Sequence, residues 1–214
     1  MMSVLRTTVI SGILFMLTAG GALADEILMP FVLASESGGD MTSVITDVKS
    51  KLSGAGFQVV GEYSPYDGAH VVVVTSEAMK AFAAKSEFGA YGAMARVSVT
   101  QSGDMVEVAY TNPVYTAAAY RMAGDGKELR AALEAALGAE KEFGSEKKLT
   151  AKDLRKYHYT VMMEYFDDPS VLAEYNSQAE AVKAVEDSLA AGRGAIFLLP
   201  EIALTPQTLA RITQ

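Results

Sequence analysis

Between Ala95 and Tyr110 apolar and polar residues alternate, the period of a strand with one dry face. Ser102-Gly103 interrupts the alternation and marks the tip of a hairpin joining Met94–Thr100 to Met105–Thr111. With that tip, Ala95, Val97, Val99, Val106, Val108 and Tyr110 share one face, while Arg96, Ser98, Thr100, Glu107 and Thr111 share the other. Elsewhere the period lengthens. After Asp40, residues Met41, Val44, Ile45, Val48 and Leu52 recur at helical spacing until Gly54 and Gly56 stop them. Leu129, Leu133 and Leu137 form a second helical stripe within Asp125–Leu137, closed by Gly138.

Shorter runs fill the remainder. Met29–Ala34 predicts a first strand, Phe57–Tyr63 a second, and His70–Thr75 a third buried on both faces. Ser76–Lys85 and Tyr115–Tyr120 predict short helices. Ala139–Lys148 is charged and lacks an apolar period, so it reads as a surface connection. Tyr157–Phe166 predicts a long strand, and Ser177 with Glu180 is a capping box for a helix carrying Val182, Val185 and Leu189. Ala195–Leu199 predicts a final strand, and Thr205-Pro206 opens a last short helix. The order is an α+β fold, β-α-β4-α with a small inserted helix, plus a C-terminal strand-helix-strand extension. It divides the chain into a leader at 1–24, an α+β domain at 25–138, a charged connector at 139–155 and the extension at 156–214.

The leader is legible on its own. Arg6 precedes the apolar run Thr7–Thr18, and Ala22-Leu-Ala24 then meets Asp25-Glu26. That is the pattern of a secretory signal peptide cut after Ala24, with an apolar run shorter than the ~20 residues a membrane span needs. It predicts a periplasmic or secreted protein with no membrane anchoring after cleavage. Against 18 Lys and Arg stand 26 Asp and Glu, a net charge of −8. Nucleic-acid binding needs a basic footprint, so that partner is excluded. The chain has no cysteine. Thiol catalysis, thiolate zinc sites, iron–sulfur clusters and covalently attached haem are therefore ruled out, and packing alone must hold an exported fold.

The candidate chemistry is thin. Tyr110, Asn112, Tyr115, Tyr120 and Arg121 crowd a strand-to-helix junction. Asn can cap that helix, and Pro113 at its first position lacks an N–H that would be orphaned anyway. The functional reading makes Arg96, Tyr110, Asn112, Tyr115 and Arg121 a ligand-binding set, with helix N-terminal amides and tyrosine hydroxyls facing a polar or anionic ligand. His70 and His158 each begin a predicted strand, either as ligands to a metal or haem iron or as strand-edge residues with a local hydrogen bond. Met79, Met94, Met105, Met122, Met162 and Met163 form no tight cluster, so core filling outweighs copper binding. Asp167-Asp168 before Pro169 reads as a turn rather than a catalytic pair with Glu164. No phosphate loop or Ser-His-Asp pattern is present, and no catalytic residue, metal or cofactor is assigned.

Val106-Glu-Val-Ala-Tyr-Thr-Asn-Pro-Val-Tyr115 resembles the secreted branch of the DUF302 family. So do the helix ending Leu52-Ser-Gly-Ala-Gly-Phe57, the strand Val71–Thr75 and the hairpin, a likeness running over Pro30–Leu137. One departure is Thr75-Ser76-Glu77, where the family commonly carries Gly-Asn-Pro. Lys156-Tyr-His-Tyr159 and Tyr165–Pro169 look like a downstream extension of exported members. The resemblance implies a TATA-binding-protein-like curved antiparallel sheet backed by a long helix, and no defined chemistry. The resulting expectation is an exported, non-catalytic binding or interaction module for a small molecule or a partner protein, with a homodimer through the sheet. Two alternatives stand beside it: an enzyme with a polar pocket around Arg96, Tyr110 and Asn112, or a haem or metal carrier through His70 or His158.

Overall fold

The computed structural model describes residues 26–87, 89–169 and 171–192. Strand β1 (Phe31–Gly38) leads into helix α1 (Met41–Gly54), whose first free amides are met by Asp40: its side chain accepts from Ser43 N at 2.9 Å. Strands β2 (Gln58–Tyr66) and β3 (Ala69–Thr75) come next, then helix α2 (Glu77–Ala83) and a 3-10 turn at Gly89–Gly92. Strands β4 (Ala95–Ser102) and β5 (Met105–Thr111) form the expected hairpin. Helices α3 (Pro113–Ala119) and α4 (Lys127–Leu137) complete the order that the periodicity predicts.

The strands form one six-stranded sheet in the order β2-β3-β4-β5-β1-β6, and every neighbouring pair is antiparallel. The sixth strand, β6 (Lys141–Phe143), lies within 139–155, which reads in sequence as a connector without an element. Phe31 pairs with Phe143 and Leu33 with Lys141. Three residues are too few to show a period, so composition alone could not reveal this strand. Gly138 makes the turn possible. Its φ is +99°, and a Cβ there would sit 2.7 Å from the Ala34 carbonyl oxygen, at the bulge between Leu33 and Ser35.

One face of the sheet is dry. Val32, Val72, Val74, Val97, Val99, Val106 and Val108 pack there beneath Val48 and Leu52 of α1 and Leu129, Leu133 and Leu137 of α4. The hairpin's alternation therefore reads correctly. The expectation that β3 is buried on both faces does not hold: Val72 and Val74 are buried, but Val71 and Val73 on the opposite face are half-exposed. A run of four valines carries no alternation, so only the layer count decides it, and helices cover one side only.

A smaller apolar cluster ties α3 to the chain beyond β6. Leu28, Tyr115, Ala118, Ala119 and Leu154 pack together, Leu154 coming from a short helix α5 (Ala151–Leu154) capped by a Thr150–Asp153 capping box. The strand expected at Tyr157–Phe166 is not formed; that segment is a series of turns. Phe166 packs on Tyr120 and Tyr165 under Arg121, both just past the end of α3, while Tyr159 is exposed, so the aromatics do not alternate across a sheet. Helix α6 (Gln178–Ala190) forms as expected, with Ser177 accepting from Glu180 N, and none of its residues is buried. The strand Ala195–Leu199, the helix opened by Thr205-Pro206 and the leader lie outside the described residues.

Candidate functional site

The uncovered face of the sheet is built by register. Val71 stands opposite Ser98 and Tyr63, Val73 opposite Arg96, Ser98 opposite Ala109, and Phe31 opposite both Thr111 and Phe143. The hairpin alone looks polar on this side. The flanking strands add Phe31, Leu33, Tyr63, Val71, Val73 and Phe143, and the face becomes largely apolar around one arginine. Exposed apolar surface of this kind is unusual on a lone soluble domain and marks a contact surface.

Two cavities open on it. One, of about 250 Å³, is lined by Phe31, Tyr63, Val71, Arg96, Ser98, Ala109, Tyr110, Thr111 and Phe143. The second, of about 270 Å³, is lined by Ala90, Tyr91, Met94, Arg96, Thr111, Thr116 and Tyr120. Arg96 and Thr111 line both, so Arg96 stands where the two lobes meet. The Arg96 backbone N–H donates to Thr111 Oγ1 at 3.2 Å, which fixes the two residues together. Tyr91 stacks on Tyr120 with ring centres 4.3 Å apart, giving the second lobe a flat aromatic wall.

The other residues of the expected set are placed apart. The Tyr110 side chain lies under the sheet, donating to the Gly138 carbonyl at 3.2 Å and accepting from Arg130 at 3.1 Å. Burial pushes its hydroxyl up to about 12. Arg130 also donates to Glu134 at 2.6 Å and Glu142 at 3.1 Å, so Tyr110 belongs to a tie between β5, α4 and β6. Asn112 is fully buried: its Oδ1 accepts from Val114 N at 3.1 Å while its Nδ2 donates to the Met29 carbonyl at 2.9 Å. Tyr115 sits in the smaller apolar cluster, its hydroxyl buried without a hydrogen-bond partner and its ionisation pushed up by that burial. Of the five, Arg96 faces the cavities and Tyr110 touches the first from below.

Arg121 is engaged elsewhere. Its Nε donates to both Asp167 carboxylate oxygens at 2.8 and 3.0 Å, and an NH2 group donates to Asp168 at 2.9 Å. Its guanidinium carbon lies 3.8 Å from the centre of the Tyr165 ring. The hydrogen bond from Arg121 to Asp167 also holds the guanidinium proton more tightly. Asp167-Asp168 is thus a turn, as its sequence suggests, and also a carboxylate clamp. Phe166 from the same turn packs against Tyr120 at 6.5 Å and Tyr157 at 6.0 Å. The segment 157–169 is therefore a strap, pinned at the end of the second cavity's aromatic wall.

The histidines are held locally. His70 Nδ1 is 3.0 Å from Ser64 Oγ and its Nε2 is 3.4 Å from Glu62, on the helix-covered side. Glu62 is held below the usual carboxylate range, chiefly by its hydrogen bond from Lys49. His158 Nδ1 meets the Met163 carbonyl. Sequence reasoning missed Phe31, Tyr63, Phe143 and Tyr91 as cavity walls. Phe31 lies in the wholly apolar run Met29–Ala34 and Tyr63 in the unalternating FQVVGEY, and Phe143 sits in an unperiodic stretch, so none of the three carried a facing signal.

No protein-family model matches the chain, and no curated protein matches it. Among solved structures, one similar to this chain is the crystal structure of an uncharacterized conserved DUF302 protein from Bacillus stearothermophilus. The TM-score is 0.47 and the identity 14%, over 51% of this chain and 97% of that one. That protein is itself uncharacterized.

Proposed function

We propose that this chain is a non-catalytic binding protein that holds a small molecule on the open face of its sheet. The ligand has an apolar body and an anionic group. The observation that carries the reading is that two adjoining apolar cavities share a single arginine, Arg96. A planar guanidinium recognises a carboxylate, phosphate or sulfonate through paired hydrogen bonds, and apolar walls on either side raise the strength of that contact by lowering the local dielectric. Phe31, Tyr63 and Phe143 supply one wall, and Tyr91 and Tyr120 the other. The reading includes a curved, TATA-binding-protein-like sheet, which a single helical layer on one side supports. It also includes export: cleavage after Ala24 places the protein in the periplasm or outside the cell, with a mature N-terminus at Asp25. N-terminal sequencing of the exported protein checks that point, and a start at Met1 refutes it.

The binding test uses 2-naphthoate, an aromatic carboxylate, and its neutral methyl ester as probes. The native chain should bind the carboxylate more tightly. Arg96→Gln should weaken carboxylate binding roughly ten- to a hundredfold, the worth of a hydrogen bond to a charged group. Ester binding should hold. Equal affinities of native chain and variant for the carboxylate would refute the site. Native mass spectrometry of protein purified from its own compartment then identifies the natural ligand by mass.

A further inference from the structure

Among the described residues, the open sheet face, the strap tip at Val161-Met162, the stretch Val171–Tyr175 and helix α6 all carry exposed apolar side chains, and of the last two α6 sets them in a regular stripe. On α6, Val182, Val185 and Leu189 form a single stripe, and each is 40–50% exposed. Lys183 and Asp187 pair on the opposite side of the helix, and Glu186 flanks the stripe. A helix with one apolar stripe gains its stability by laying that stripe on a partner.

We propose that α6 is a removable cover for the open face of the same chain, seated with its stripe on the apolar strand residues and Glu186 toward Arg96. Three observations commit the helix to this partner. First, the Arg121–Asp167 and Arg121–Asp168 pairs, with Phe166 against Tyr120, pin the start of the arm at the rim of that face. Second, the arm reaches. From Pro169 to Gln178 an extended chain spans about 30 Å, while the six strands together are about 24 Å across. A helix of 13 residues, about 20 Å long, lies across that width. Third, the charges match: Arg96 lines both cavities of the face, and the acid beside the stripe is Glu186. The dry side of the sheet already carries α1 and α4, so a third helix completes a layer on the other side. The cover competes with an anionic ligand for Arg96, which makes the arm an autoinhibitory element of the proposed site. Its docking is measurable without any ligand.

The absence of native cysteine makes the test clean. Ser98→Cys on the open face is combined with Val185→Cys on α6 in the full chain, and mild oxidation is followed on non-reducing gels. An intramolecular disulfide in a monomer is expected. Adding Glu186→Lys should slow its formation several-fold, whereas Asp187→Lys should not. Ser53→Cys, on the helix-covered side, should form no bond with Val185→Cys. Cross-linked dimers would overturn the proposal in favour of a second copy as the occupant. Absence of cross-linking, or equal rates with Ser53→Cys, would overturn it outright. Either result leaves the naphthoate experiment on Arg96 untouched, so the two ideas fail separately.

Discussion

Arg121 occupies a position that ordinarily belongs to glycine. Helix α3 ends with Arg121 N donating to the Ala118 carbonyl and Met122 N to the Ala117 carbonyl. That pair of bonds is the Schellman ending, in which the residue after the cap turns left-handed. Arg121 has φ +48°. A side chain there costs about 1 kcal/mol relative to glycine. The strain is offset by what the side chain holds. A bifurcated hydrogen bond from Nε to Asp167, a second contact from Nη2 to Asp168 and the stacking on Tyr165 are one-third exposed, so screening trims them, and together they amount to about 2 kcal/mol.

Two substitutions separate these terms. Arg121→Ala removes the clamp and keeps the backbone strain. Arg121→Gly removes both. The amides of Tyr165 and Asp168, which are bonded within the strap, report its local opening by hydrogen exchange. Each variant should speed exchange there about 30-fold, the equivalent of about 2 kcal/mol. In denaturant, Arg121→Gly should be about 1 kcal/mol more stable than Arg121→Ala. Native exchange rates in both variants would refute the clamp. Equal stability of the two would refute the backbone argument.

Asn112→Ala should cost about 2–3 kcal/mol in urea unfolding, above the ~1 kcal/mol of a simple cap, because the Met29 carbonyl loses its donor in a buried place. A loss of about 1 kcal/mol or less would show that the Met29 bond contributes nothing. The raised Tyr110 hydroxyl gives a pH dependence with a definite sign. The neutral form is favoured in the fold, so the contribution is complete below pH 10 and is lost as pH climbs toward about 12. Its size is on the order of 2–3 kcal/mol. Tyr110→Phe should flatten that alkaline limb, and an unchanged profile would refute the assignment.

Much of the fold was legible because it depends on period. The hairpin and α1 each set five or more apolar residues on one face, α4 repeats its leucines turn by turn, and their dry faces meet as the spacing requires. What was hidden depends on long-range placement. Three-residue β6 is a strand only because β1 offers it an edge. Tyr157–Phe166 has the composition of a strand, but its aromatics are drawn to Tyr120 and Arg121. Within the candidate site, Arg96 was legible from the hairpin alone. The rest of the junction segment was crowded in sequence and is dispersed in space, since alternate residues of β5 and successive turns of α3 point in different directions.

The sheet's asymmetry is itself testable, because neighbouring valines of β3 answer differently to the same change. Val72 is fully buried under the helices, and Val71 lines a cavity on the open side. Replacing valine by threonine keeps the β-branched shape and strand preference and exchanges one methyl for a hydroxyl. Val72→Thr buries that hydroxyl in an apolar layer, at a cost of about 1–3 kcal/mol. Val71→Thr keeps its hydroxyl within reach of water and should cost less than half as much. Urea midpoints at constant slope give both values. Equal losses would mean that the open face is as dry as the covered one, and the binding surface argued from it would fall.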